Sequence, residues 1–242
     1  MGKYIKSFLT VLTLSIVFLV VSADPSFAAK SEGATKAVKI DKKSAIYDKS
    51  LGKYVTPLKK VNGKLVPASK QEYLNEIQSA SGQSAAIPKV SALASTNDMG
   101  TLDYREYWKY TPTSTTSKVT GKTKKVTADI GCTSASCSIT KNVSVTVSAS
   151  YSVSATAEKS AIKANAGFTW VSSASDSSTY SFTLKKGDKG YVGFKPYYKK
   201  TTGKLKKYSN WDGYLYSKSA SAQSPRKTAN KEADGMYYFV HY

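Results

Sequence analysis

A single histidine, His241, stands one residue from the end of this 242-residue chain. Without a second imidazole there is no zinc-binding His pair, and any Ser–His–Asp or Cys–His nucleophile would need its base from the terminus. His241 therefore reads as a strand-end residue. A glycosidase needs only two carboxylates, and the nearest couples are Asp103 with Glu106 and Glu232 with Asp234. Such pairs are made by folding rather than spacing, so neither couple is diagnostic. No Gly-x-Ser-x-Gly elbow, phosphate-cradling loop or dinucleotide fingerprint occurs. The chain reads as a non-enzyme with no metal site and no cofactor.

Two other groups of residues carry chemistry. Cys132 and Cys137 enclose four residues, and in an exported chain a disulfide is the default for such a pair. It would close a turn between a strand at Lys124–Ile130 and the strand that follows. The second group is cationic. The formal charge is +20, and the only arginines are Arg105 and Arg226. Lysine is a hydrated point charge suited to diffuse attraction, whereas arginine's planar fork suits bidentate phosphate reading. The densest run is Lys195, Lys199, Lys200, Lys204, Lys206 and Lys207, interleaved with Tyr197 and Tyr198. This run is the candidate anion-binding surface.

The amino-terminal residues have the form of a targeting segment. Lys3 and Lys6 precede an apolar run from Phe8 to Val21, and Ser26-Phe27-Ala28 offers small residues at a cleavage site. Residues 1–28 are read as a signal peptide, and the mature chain as secreted, extracellular or envelope-associated. Outside a cell the abundant anions are lipid head groups and wall polymers, which become the expected partners. A dedicated nucleic-acid role does not fit export and the scarcity of arginine.

The elements that must position these residues are mostly strands. From Ser138 to Thr156 every even position is Ser, Thr or Asn, while the odd positions include Val143, Val145, Val147, Tyr151 and Val153. A strand sends alternate side chains to opposite faces, so this is an apolar face backed by hydroxyls. After Glu158-Lys159 the apolar positions turn even: Ile162, Ala164, Ala166, Phe168, Trp170, then Tyr180, Phe182 and Leu184. Ser138–Leu184 thus reads as one long hairpin with a looser or bulged return strand; a helical turn at Ala157–Asn165 is the competing local reading. Pro196 should stop the next strand, Thr201-Thr202-Gly203-Lys204 should be a turn, and Asp212-Gly213 falls within a strand at Trp211–Tyr216.

Residues 29–100 read as an N-terminal segment with an Asn62-Gly63 hairpin, a helix near Ser69–Ala80 and a Ser/Ala-rich linker from Ser79 to Gly100. The helix opens on the capping box Ser69-Lys70-Gln71-Glu72, with Tyr73, Leu74 and Ile77 on one face. Tyr104, Tyr107, Trp108 and Tyr110 read as half-buried strand residues. Residues 101–242 are the antiparallel β domain. The fold expected is mainly β, an antiparallel sheet or sandwich with one unusually long Ser/Thr-rich hairpin and one short N-terminal helix.

The segments Gly167-Phe168-Thr169-Trp170, Gly190–Tyr198 and Ala233-Asp234-Gly235-Met236-Tyr237 resemble exported proteins of Gram-positive bacteria, a group with no assigned chemistry. The hairpin Val143–Ala157 with Ile162–Tyr180 also resembles the amphipathic insertion hairpin of aerolysin and epsilon-toxin type β-pore-forming proteins. That second resemblance implies a chain that oligomerises on membranes and inserts a strand pair, with Val143, Val145, Val147, Tyr151, Val153, Phe168 and Trp170 facing lipid. Export and charge point instead to a non-enzymatic lysine-rich β protein that associates with anionic envelope or membrane surfaces.

Overall fold

The computed structural model describes residues 37–79, 84–85 and 103–242. The signal segment read at 1–28 lies outside the described residues, as do the tail up to Lys36 and nearly all of the linker between Ser79 and Gly100.

The chain begins with β1 (Val38–Lys39), a short 3-10 turn, β2 (Ile46–Asp48), β3 (Lys53–Val61) and β4 (Lys64–Pro67). Asn62 and Gly63 have φ of 49° and 76°, the left-handed pair that a tight hairpin turn requires. They set Val61 opposite Lys64. Helix α1 (Lys70–Ser79) starts at a reciprocal capping box. The Glu72 N–H donates to Ser69 Oγ at 3.1 Å, and the Ser69 N–H donates to Glu72 Oε2 at 2.7 Å. Tyr73 is buried edge-on against Tyr238, but Leu74 is exposed, so the apolar stripe is narrower than its spacing suggested.

Next come β5 (Ser84–Ala85), β6 (Glu106–Thr120), β7 (Lys124–Lys125), β8 (Ile130–Gly131) and β9 (Ser136–Ser148). They are followed by β10 (Ser150–Tyr151), α2 (Thr156–Ala164), β11 (Ser173–Lys185), β12 (Lys189–Ser209), β13 (Gly213–Pro225) and β14 (Gly235–His241). The fold is mainly β, as expected.

The long hairpin is present in part. β9 and β11 pair antiparallel from Ser136↔Lys185 to Ser148↔Ser173 with no register shift, so the return strand is regular rather than loose. Hydroxyls meet across its outer face, Thr140 with Ser181 at 2.8 Å and Thr146 with Ser175 at 2.9 Å. The ribbon stops at Ser148, however. The Ala149 N–H still reaches Ser172 O, but Ser150 and Tyr151 then pair with Gln223 and Ala222 of β13, in the other sheet. A strand that changes sheets in this way makes a corner.

The segment read as the start of the return strand is α2. Glu158 sits in its first turn and Lys163 in its last, matching the helix dipole. Glu158, Ala161 and Ile162 are buried, an i, i+3, i+4 stripe. Hence Tyr151, Val153, Phe168 and Trp170 do not belong to the hairpin. Tyr151, Val153 and Trp170 pack with α2 against β6, β12 and β13, and Phe168 and Tyr151 each stack on Trp170. The competing helical reading holds in type, although α2 is a nine-residue helix rather than a single turn.

β12, at 21 residues, is the element around which the larger sheet is built. Its first part pairs with β14, β7 and β8, and its second with β6 and β13. Pro196 does not stop it. Pro196 O accepts from the Gly121 N–H, so the missing N–H faces the edge where the β7 ladder ends at Phe194↔Lys124 and the β6 ladder starts at Tyr197↔Thr120, between two ladders. Thr201–Lys204 is no turn either. A Cβ on Gly203 would lie 2.3 Å from Thr111 O, so glycine here admits the close approach of β6.

The sheet β1-β11-β9 packs on the first half of the larger sheet. Val143, Val145, Val147, Phe182 and Leu184 face Leu58, Val192, Phe194, Tyr237 and Phe239. Two ion clusters lie inside. Lys60 Nζ is 3.0 Å from Asp176 and 2.8 Å from Glu232, and Asp176 also accepts the Tyr237 hydroxyl at 2.6 Å. Lys195 Nζ lies 3.3 Å from Asp48, which also accepts the Tyr73 hydroxyl at 3.0 Å. β3 pairs with β14, so the strands before residue 68 share a sheet with those after residue 105.

Candidate anion-binding face

Beyond the sandwich, β6, β12 and β13 run on as three strands with β12 in the centre. Alternation along β12 sends Thr201, Gly203 and Leu205 to the face covered by α2, and Lys200, Thr202, Lys204, Lys206 and Tyr208 to the other. The irregularities flanking Thr202 place extra residues in β6, so its partners keep their faces.

The face opposite α2 can be read row by row from the register. Tyr107, Tyr208 and Tyr214 form the outermost row, Lys109, Lys206 and Ser217 the next, and Thr111, Lys204 and Ser219 the third. Ser114, Thr202 and Ser221 follow, and then Thr116, Lys200 and Gln223. Tyr107 stacks on Tyr208 with centroids 5.6 Å apart, and Lys109 Nζ lies within 5.5 Å of both rings. Lys204 Nζ donates to Ser219 Oγ at 2.9 Å. Among the described residues, none of Lys109, Lys200, Lys204 and Lys206 has a carboxylate within ion-pair distance.

The α2 side treats its lysines differently. Lys207 pairs with Glu106 at 2.5 Å and Lys218 with Glu158 at 2.6 Å. The hydrogen bond from Lys207 is the main reason that the Glu106 carboxyl lies below its ordinary range. Lys199 sits over the Phe168 ring.

The lysine run is thus divided in three. Lys200, Lys204 and Lys206 share the open face, and Lys199 and Lys207 lie behind it. Lys195 is not a surface group, being 9% exposed and committed to Asp48. Tyr197 is also buried, with its hydroxyl pushed well up by desolvation and by its bond to Glu76. Tyr198 is half-buried against Gly121. Sequence reasoning missed Lys109, which comes from a strand some 90 residues away, and placed Asp212-Gly213 inside a strand. Gly213 has φ of 71° and ends the β12–β13 turn. Aromatics on both sides of Trp211-Asp212-Gly213 were the available signal for a hairpin end.

The remaining chemical candidates are structurally engaged. His241 is buried and shares a hydrogen bond with Thr56 Oγ1 at 2.8 Å. Glu232 holds Lys60, and Asp234 holds Arg226 at 3.0 Å. Asp103 accepts the Asn210 amide through its backbone carbonyl. Cys132 and Cys137 are joined in a disulfide. The expected Lys124–Ile130 strand is only the two short pieces β7 and β8, both on β12, because Thr127 turns inward to accept the Val192 N–H. The disulfide loop instead backs onto the β11–β12 turn, where the Gly187 N–H donates to Cys132 O.

Residues 105–242 match the model of a family of unknown function, DUF6060. The chain belongs to that family. No curated protein and no solved structure matches it. The DUF6060 segment begins at Arg105, whose N–H donates to Asn210 beside the outermost tyrosine row. It takes in all three strands of the lysine face, while β1–β4 and α1 precede it.

Proposed function

We propose that the protein is an exported, non-enzymatic binding protein that docks on anionic envelope or membrane surfaces through the lysine face of β6, β12 and β13. One observation carries the reading: Lys109 and Lys206 stand directly opposite each other, and neither has a carboxylate partner among the described residues. Like charges facing across strands destabilise a sheet. The same sheet pairs Lys207 and Lys218 on its other side, so an unpaired row is a local choice with a cost. A bound anion offsets that cost. The neighbouring hydroxyls of Thr111, Ser217 and Ser219 and the tyrosine row supply neutral donors and flat contact area. The disulfide fits an oxidising compartment, and no helix among the described residues is long and apolar enough to cross a membrane. In this reading β9 and β11 keep their apolar face inside the sandwich, and the serine ladder and the docking face are separate parts.

Diffuse lysine attraction is screened by salt, with a Debye length of about 10 Å at 0.1 M and about 3 Å at 1 M. Retention on purified envelopes or phosphatidylglycerol vesicles is expected in dilute buffer and lost at the higher concentration. Equal retention at both removes the proposal.

A further inference from the structure

We infer that the free end of the β6–β12–β13 sheet docks end-on into the head-group layer of an anionic bilayer, an inference that rests on the anionic-surface reading above. Five large aromatics are exposed at this end: Trp211 at 64%, Tyr214 at 54%, Tyr104 at 50%, Tyr216 at 49% and Tyr107 at 41%. Their arrangement separates a bilayer from a polymer. Tyr107, Tyr208 and Tyr214 lie on the open face, whereas Trp108 and Tyr216 lie on the α2 face, edge-on to each other at 5.7 Å. Trp211 occupies the turn itself, edge-on to Tyr104 at 6.0 Å. A chain-like polymer lying on the sheet meets one of these faces. A fluid interface surrounds the end and meets both faces and the turn at once. Tyrosine and tryptophan, each with an apolar ring and a polar tip, favour that level of a membrane.

The cations are placed to match. On the open face Lys109 and Lys206 stand one row behind the tyrosines, about 7 Å back along the strands. On the other face Lys207 lies between Trp108 and Tyr216, within 6 Å of both rings. Lysine stems lie along apolar surface while their ammonium groups meet phosphate. Three carboxylates share this end. Glu106 is paired with Lys207, Asp212 accepts Ser209 Oγ at 2.8 Å, and Asp103 is exposed. Asp212 beside Trp211 keeps the docking shallow, at head-group depth. The segment is anchored for this work: Asn210 bonds to Arg105 N, Arg105 O and Asp103 O, tying the turn to the chain entering β6.

The test compares the full protein with Trp211→Ala and with Lys109→Gln/Lys206→Gln. Co-sedimentation is measured on phosphatidylglycerol–phosphatidylcholine vesicles, on pure phosphatidylcholine vesicles and on purified anionic wall polymer, with far-UV circular dichroism confirming folding. Trp211→Ala is expected to lose about tenfold or more on anionic vesicles and nothing on wall polymer. The double lysine variant should lose about fivefold per lysine on anionic vesicles. Vesicle binding by Trp211→Ala equal to the parent overturns the inference. Salt-sensitive retention on wall polymer with none on vesicles overturns it too, and leaves the anionic-surface reading standing. Retention on neither sinks both.

Discussion

Lysine meets two different environments in this molecule. In the sandwich, Lys195 is buried and Lys60 partly so, and each is met by carboxylate: Asp176 and Glu232 for Lys60, Asp48 for Lys195. On the open face of β6–β12–β13, Lys109, Lys200, Lys204 and Lys206 stand in solvent-facing rows beside hydroxyls and tyrosines. Removing a charge from water costs several kcal/mol in real proteins unless a partner compensates it, so the interior tolerates only paired lysines. At the surface water does that work, and pairing becomes optional. An unpaired row is therefore tolerated only where it is exposed, which is where the proposed docking face lies.

The sharpest way to break this comparison is to remove a lysine that holds a buried carboxylate. Lys60→Met leaves Asp176, which is 3% exposed, with only the Tyr237 hydroxyl and Ser178 as partners. Breaking a buried pair from one side costs about 3–5 kcal/mol, and the effect should fall toward the low end because Glu232 is partly exposed. Urea denaturation should show that loss, with anionic-vesicle binding per folded molecule unchanged. A change under about 1 kcal/mol would mean that the cluster is wetter than its geometry implies.

The two environments were unequally legible in the sequence. Strand content, the Asn62-Gly63 turn, the capping box at Ser69 and the disulfide all rest on neighbours within a few residues, and local chemistry decides them. The inner face of β9 was also legible, because Val143, Val145 and Val147 alternate with hydroxyls. The continuation past Ser148 was not. Tyr151 and Val153 keep the same parity while leaving for another sheet, and a period of two carries no record of which sheet a strand joins. The lysine run failed for the same reason. Alternation fixes that Lys206 and Lys207 oppose each other, but only pairing with β3, β14 and β6 decides that Lys195 is interior and that Lys109 joins Lys206.

A second, smaller test concerns a titratable group that the interior leaves without a charge partner. His241 has Nε2 on Thr56, while its Nδ1 has no hydrogen-bond partner among the described residues. Burial is the first cause holding its pKa below the ordinary 6.5; Asp188 and Asp41 oppose that shift and Lys42 adds to it. A depressed histidine binds its proton less readily folded than unfolded. Its contribution to stability is complete above the unfolded pKa and drains away as pH falls from about 6.5 through the folded value. Thermal midpoints should decline across that window and His241→Gln should flatten the decline. An unchanged slope in the variant assigns the decline in that window to another group, and Asp48 acts only at lower pH. Burial pushes Asp48 up, but bonds from Ser50 together with Lys195 and Tyr73 hold it below its ordinary value. Its contribution is lost only as pH falls below about 3.8.

The finest test turns on the sign of a small number. If Lys109 and Lys206 repel each other across the open face, replacing one with glutamine relieves the repulsion and costs no ion pair. Cross-strand pairs are worth roughly 0.2–1 kcal/mol, and solvent screening keeps an exposed pair at the lower end. Lys206→Gln should therefore hold or slightly raise the urea midpoint, most visibly at low ionic strength, while weakening binding to anionic surfaces. Lys207→Gln, one residue along on the other face, should do the reverse to stability, because it strands Glu106 beside Tyr104. Opposite signs at adjacent positions would locate the sacrifice of stability on the docking face alone. Equal signs would mean that the two faces of β12 are electrostatically alike, and the argument from unpaired lysines would lose its footing.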